Sequence, residues 1–168
     1  TYFVNSHLAI VIFSAIYGAT MGFYAGGLQI IYDAIKIPLL LLISLYITVP
    51  SYYVLSSLLG GKINFRQMFV LLLSCLTVMS VVLLALVPVD LFFILTTANA
   101  TYTTYAFLVL LNIAIFALAG LFALAYLLKG FTTVYSGAEW TLAFLIGSII
   151  FMFVGTQLAW VLRPYFHP

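Results

Sequence analysis

The chain has 168 residues, of which 67% are apolar and only 5% are charged. Soluble domains carry about 25% charged residues, so this composition excludes a water-covered globule and indicates a surface covered largely by lipid. The net charge of +2 comes from scattered residues that form no basic patch, which excludes a nucleic-acid-binding protein.

Five apolar runs are long enough to cross a membrane, which takes roughly 20 helical residues. These runs cover residues 8–24, 38–59, 67–87, 104–128 and 140–162. They are continuously apolar, whereas membrane β-strands alternate in polarity. The sequence therefore predicts an all-α fold: a polytopic transmembrane helix bundle of about five spans, forming one membrane domain over residues 1–168.

The first span leads into a glycine-rich stretch, GATMGFYAGG. A phosphate-binding loop would follow a strand and carry a Lys-Ser/Thr pair, whereas an apolar helix precedes this stretch. Small residues spaced by four form one helical face that another backbone can approach closely. We therefore predict a glycine zipper, packed against a helix of this chain or of a partner, at Ser14, Gly18, Gly22 and Gly26.

Prolines mark three positions in the predicted spans. Pro38 suits the first turn of the second span, where a missing N–H is no loss. Pro50 lies in the middle of that span and predicts a kink, because it removes the hydrogen bond to the Tyr46 carbonyl. Pro88 and Asp90 predict the end of the third span, followed by an interfacial turn. The alternative is one long helix that is tilted or kinked.

The centres of the predicted spans contain no ionisable residue, although such residues often mark function inside membranes. We predict interfacial charge, hydrated or snorkelling, at Asp33, Lys36, Asp90 and Arg163. Asp33 and Lys36 are three residues apart, so they can pair on one face of a short interfacial helix.

Two uncharged polar residues lie within the last two spans. Asn112 is in the fourth span and Gln157 is late in the fifth. Asn and Gln side chains can hydrogen-bond across membrane helices for about 1–2 kcal/mol. We predict interhelical hydrogen bonds at both positions, and the alternative is that the two residues line a transport path.

Residues typical of catalytic and metal sites are scarce. The sequence contains no HExxH, GxSxG or P-loop motif and no carboxylate pair within a predicted span. Cys75 has no second cysteine to pair with, and His7 and His167 stand at opposite ends of the chain. We therefore expect no enzyme activity, no metal site and no cofactor.

The basic residues predict an orientation in the membrane. Five spans would place Lys62, Arg66 and Lys129 on the side of the N-terminus, and Lys36 and Arg163 on the other side. Lys and Arg are in excess in cytoplasmic loops. The count of three against two predicts a cytoplasmic N-terminus.

Two parts of the chain resemble known membrane families. LLGGKINFRQMFVLLLSCLTVMSVVLL resembles the second–third helix junction of bacterial Yip-domain proteins, where a Gly-Gly-Lys turn leads into a Phe-Arg/Lys-Gln helix start. PVDLFFILTT and VGTQLAWVLRPYF resemble a group of uncharacterised bacterial multi-pass proteins, some of them labelled actin-binding. The resemblance, from about Gly18 onward, implies five helices with a cytoplasmic N-terminus, in the inner membrane of a bacterium.

These observations favour a non-enzymatic membrane scaffold or accessory subunit. Such a protein would pack against lipid and against partner membrane proteins or further copies of itself. The first alternative is a transporter or channel subunit with a polar path near Asn112 and Gln157. A weaker alternative is a lipid-modifying enzyme that uses Asp33, Asp90 or Glu139.

Overall fold

The computed structural model describes residues 2–60, 63–97, 102–134 and 140–162. Over these residues 93% are helical and none forms a strand, which confirms the predicted all-α fold class. The helices are α1 (Tyr2–Phe23), α2 (Gln29–Leu58), α3 (Phe65–Thr96), α4 (Tyr102–Val134) and α5 (Trp140–Leu162).

All five helices are long and apolar enough to cross a membrane, as an integral membrane protein requires. Helices α1 and α5 have 22 and 23 residues, which correspond to about 33–35 Å of helix. Helices α2, α3 and α4 have 30, 32 and 33 residues, or about 45–50 Å. Because the hydrocarbon core is about 30 Å thick, the three longer helices tilt or extend beyond it.

The second helix differs from its predicted span at its beginning. It starts at Gln29, two residues after Gly27, and the positive φ angles of Gly26 and Gly27, 73° and 58°, reverse the chain. Pro38 therefore lies inside α2 instead of in its first turn. The predicted short interfacial helix around Asp33 is wrong, because those residues form the first turns of α2.

The third helix continues through Pro88 to Thr96, so the predicted interfacial turn is wrong and the long-helix alternative describes the chain. Ending a membrane helix leaves four carbonyls without partners, whereas an internal proline removes one hydrogen bond.

Pro50 also lies inside α2, where the neighbouring Ser51 hydroxyl donates to the Ile47 carbonyl at 3.2 Å. The kink at Pro50 stays a prediction.

Contacts between residues of neighbouring helices show that successive helices alternate in direction. Helices α1, α2 and α3 pack against one another in the centre of the bundle. Helix α4 packs mainly against α3, and α5 packs mainly against α2. We call the end that holds the α1–α2 connection the upper end and the opposite end the lower end. The contact between α4 and α5 includes the rings of Phe131 and Phe144, 5.9 Å apart, near the lower end.

Candidate functional site

Three buried polar side chains from three helices meet towards the upper end of the bundle. Tyr17 of α1 and Asp90 of α3 are completely buried, and Asn112 of α4 is 4% exposed. We call these three residues the Asp90 cluster. A carboxyl group buried among apolar membrane helices costs free energy to desolvate, and such residues often have a function.

The Asp90 cluster forms because α3 continues beyond the predicted end of the third span near Pro88. Asp90 lies beyond Pro88, on the same buried face as Leu83 and Ile94. Positions that are four and seven residues apart share one side of an α-helix. The uninterrupted helix therefore turns Asp90 towards α1 and α4 instead of releasing it to the membrane surface.

A chain of hydrogen bonds joins the three residues. The Tyr17 hydroxyl donates to Oδ1 of Asn112 at 2.5 Å. Nδ2 of Asn112 donates to Oδ1 of Asp90 at 3.2 Å and to the Leu108 carbonyl at 2.9 Å. Oδ2 of Asp90 is buried and has no hydrogen-bond partner. The cluster thus contains one oxygen that can accept a hydrogen bond, a proton or a cation.

The prediction of hydrated charge at Asp90 is wrong, since this side chain is completely buried. The physical reason is the local packing: α3 continues past Pro88 and turns the carboxyl group towards α4, where Asn112 donates to Oδ1. Asn112 does form an interhelical hydrogen bond, as predicted. Tyr17 gave no functional signal in the sequence, where it is one of 12 tyrosines.

A second buried carboxyl group lies near the start of α2. Asp33 is 2% exposed, so the prediction of hydrated charge is wrong here too. Its Oδ1 accepts a hydrogen bond from Nε2 of Gln29 at 3.0 Å and lies 4.0 Å from Nζ of Lys36. The predicted pairing of Asp33 with Lys36 is therefore present, inside α2. Unlike Asp90, Asp33 has a cationic neighbour.

The glycines of α1 face the start of α2. A Cβ atom on Gly18 would collide with the backbone carbonyl of Asp33, and one on Gly22 would lie 2.7 Å from Cα of Ile30. Ser14 is also buried. Gly26 is not part of this face, because it lies after the end of α1 with a φ of 73°. The close neighbour of Gly18 and Gly22 is thus a helix of the same chain.

Helices α4 and α5 are tightly packed near the lower end. A Cβ atom on Gly130 would collide with the side chain of Leu71, and one on Gly147 would collide with the ring of Tyr52. The Tyr52 hydroxyl lies 3.2 Å from that of Ser148. These contacts fix the lower part of α4 against α3 and the lower part of α5 against α2.

Two other glycines, further towards the upper end of the same helices, have open space around them. A Cβ atom on Gly120 of α4 or on Gly155 of α5 would meet nothing within 4 Å. We call the surfaces around these two glycines the open flanks. Gln157 is exposed on α5 and Asn112 is buried, so these two predicted polar residues do not form one site.

The remaining predicted site residue, Arg163, lies outside the described residues, as does Glu139. Among the described residues, no group of three or more His, Cys, Asp or Glu side chains is placed to hold a metal ion. Comparisons with protein-family models, with curated proteins and with solved structures find no match.

Proposed function

We propose that the chain is a non-enzymatic membrane scaffold or accessory subunit that binds the transmembrane helix of a partner along the open flanks of α4 and α5. The observation that supports this proposal is the contrast between the glycines of these helices. Gly130 and Gly147 are covered by Leu71 and Tyr52 of the same chain, whereas Gly120 and Gly155 are uncovered.

Glycine at a membrane-helix surface favours helix association because it lets two backbones approach closely. Contact with lipid alone does not require glycine, because large apolar side chains contact acyl chains equally well. Gln157 is also exposed on α5, but positions two residues apart do not share a helix face, so Gln157 lies away from the surface around Gly155. The partner that fits these features is an apolar helix with a small-residue face.

The resemblance to Yip-domain proteins supports a proposal about which membrane holds the chain and in which orientation. We propose that the chain lies in the cytoplasmic membrane of a bacterium with its N-terminus in the cytoplasm. A reporter fusion at each terminus, active only on one side of the membrane, tests this orientation. A periplasmic N-terminus would contradict it.

Co-purification in mild detergent tests the scaffold proposal. The wild-type chain should retain a second polypeptide or a second copy, and Gly120→Leu and Gly155→Leu should lose it. Ala125→Leu is the matched control, because Ala125 is an exposed small residue of α4 away from Gly120. A wild-type chain recovered only as a lipid-bound monomer would contradict the proposal, and so would equal retention in all three variants.

A transporter or channel subunit is the second candidate function, and the Asp90 cluster favours it. Buried carboxyl groups in membrane helices mark ion and proton pathways in many transport proteins. The path would pass Asn112 and Asp90, without Gln157. Ion flux into proteoliposomes should then fall to the level of empty liposomes in Asp90→Asn, whereas a wild-type flux no greater than that of empty liposomes would contradict this function.

A further inference from the structure

We propose that the Asp90 cluster is a binding site for one monovalent cation, either a proton or an alkali ion, which binds at Oδ2 of Asp90. This inference concerns the occupancy of the site. It stands apart from the proposed partner helix, and it does not require that the cation be transported.

The first argument is the number of hydrogen-bonding positions in the cluster. Asn112 uses both amide hydrogens, one on Oδ1 of Asp90 and one on the Leu108 carbonyl, and its oxygen accepts from Tyr17. Asn112 is therefore held in one orientation and has no donor left for the second carboxyl oxygen. Oδ2 of Asp90 is buried without a partner, which leaves one position that can accept a hydrogen bond, a proton or a cation.

The second argument is the charge around the carboxyl group. Helix α4 presents Asn112 to Asp90, and Tyr17 of α1 contacts Asn112; both residues are uncharged. The charged residues of α2 are Asp33 and Lys36, which pair with each other. Among the described residues no Lys, Arg or His forms an ion pair with Asp90. An ionised Asp90 would thus be an uncompensated buried charge, which costs several kcal/mol, and a bound cation removes that cost.

Asp33 is a second buried carboxyl group in the same bundle, with a cationic neighbour. It is almost as buried as Asp90, and its Oδ1 accepts a hydrogen bond from Gln29 and lies 4.0 Å from Nζ of Lys36. Asp33→Asn is therefore the comparison for Asp90→Asn, because it makes the same isosteric change in the same bundle at a carboxyl group that has a cationic side chain nearby.

Thermal unfolding of the purified full chain in lipid nanodiscs tests the inference. One series varies pH in a choline buffer without alkali ions, and a second adds sodium chloride at a fixed alkaline pH. If the ligand is a proton, the folded chain holds one proton more than the unfolded chain, so acidification stabilises it by up to tenfold in the unfolding equilibrium constant per pH unit. If the ligand is an alkali ion, sodium stabilises the chain where choline does not.

In either case the response of Asp90→Asn should be smaller than that of Asp33→Asn, because Asp33 is also buried but already has Lys36 4.0 Å away. A wild-type chain that responds to neither acid nor sodium overturns the proposal, as does a response in Asp90→Asn that equals the response in Asp33→Asn. If Asp90→Asn does not fold, infrared difference spectra of the wild-type chain replace the comparison. The band of a carboxyl group shielded from water must then change with acid or sodium both in the wild-type chain and in Asp33→Asn, which keeps Asp90, and an unchanged band overturns the proposal.

Discussion

The contact between Gly18 and α2 leads to a quantitative prediction for Gly18→Ala. The new Cβ would lie 2.8 Å from the carbonyl carbon of Asp33 and 3.0 Å from Cγ1 of Ile37, whereas ordinary contacts begin at 3.4 Å. The nearest atoms belong to the backbone of α2, so relief requires the two helices to separate. Overpacking of this kind costs about 1–3 kcal/mol.

Gly120→Ala is the control for this prediction, because its Cβ would meet nothing within 4 Å. Both substitutions replace a helical glycine by alanine, which by itself favours the helix by roughly 0.5–1 kcal/mol. That gain is common to both variants, so the difference between them isolates the collision at Gly18. For a chain of this size, about 1–3 kcal/mol corresponds to roughly 2–12 °C in melting temperature.

Tryptophan fluorescence during heating, in one detergent for all variants, measures this difference. Gly18→Ala should melt below the wild-type chain, and Gly120→Ala should melt at or slightly above it. If Gly18→Ala melts with or above Gly120→Ala, then α1 and α2 are not in backbone contact at this position and the packing described for them is wrong.

Three further predictions concern buried contacts. Asn112→Ala should lower the free energy of unfolding by about 1–3 kcal/mol, because it leaves buried polar partners unsatisfied; denaturant titration measures it, and an unchanged midpoint would contradict it. Phe131→Ala should lower the free energy of unfolding by about 3–5 kcal/mol, because Phe131 is completely buried. Phe122→Ala on the same helix should lower it far less, because Phe122 is 58% exposed. Equal melting temperatures of the two variants would refute this contrast. Tyr52→Phe removes the hydroxyl contact with Ser148 and should lower the free energy of unfolding by about 0.5–1.5 kcal/mol. The same denaturant titration measures this decrease, and Ser148→Ala should give a decrease of the same size.

The five-helix architecture could be predicted because each span is continuously apolar. The predicted fifth span, residues 140–162, is helical throughout. The predicted start of the second span at Pro38 and the predicted end of the third span near Pro88 both differ from the structure, because both prolines lie inside helices. In water such residues end helices, but inside a membrane a broken helix exposes more unpaired backbone than an internal proline does.

The Asp90 cluster could not be predicted, because it is formed by three helices. The polar character of Asn112 indicated an interhelical hydrogen bond, but its partner depends on α3 continuing past Pro88. Tyr17 stands beside Gly18 in an apolar helix and resembles any other aromatic residue there. The four-residue spacing indicated a close approach at Gly18 and Gly22, whereas only the structure shows that α2 makes it.

Photocrosslinking in the native membrane tests the central claim, which is that the open flanks of α4 and α5 hold a partner helix. A photoreactive amino acid would replace Gly155 in one variant and Leu142, an exposed residue of the same helix, in another. The account predicts a crosslinked polypeptide from position 155 and much less of it from position 142. Adducts with lipid alone at position 155, or equal protein crosslinking at both positions, would contradict it.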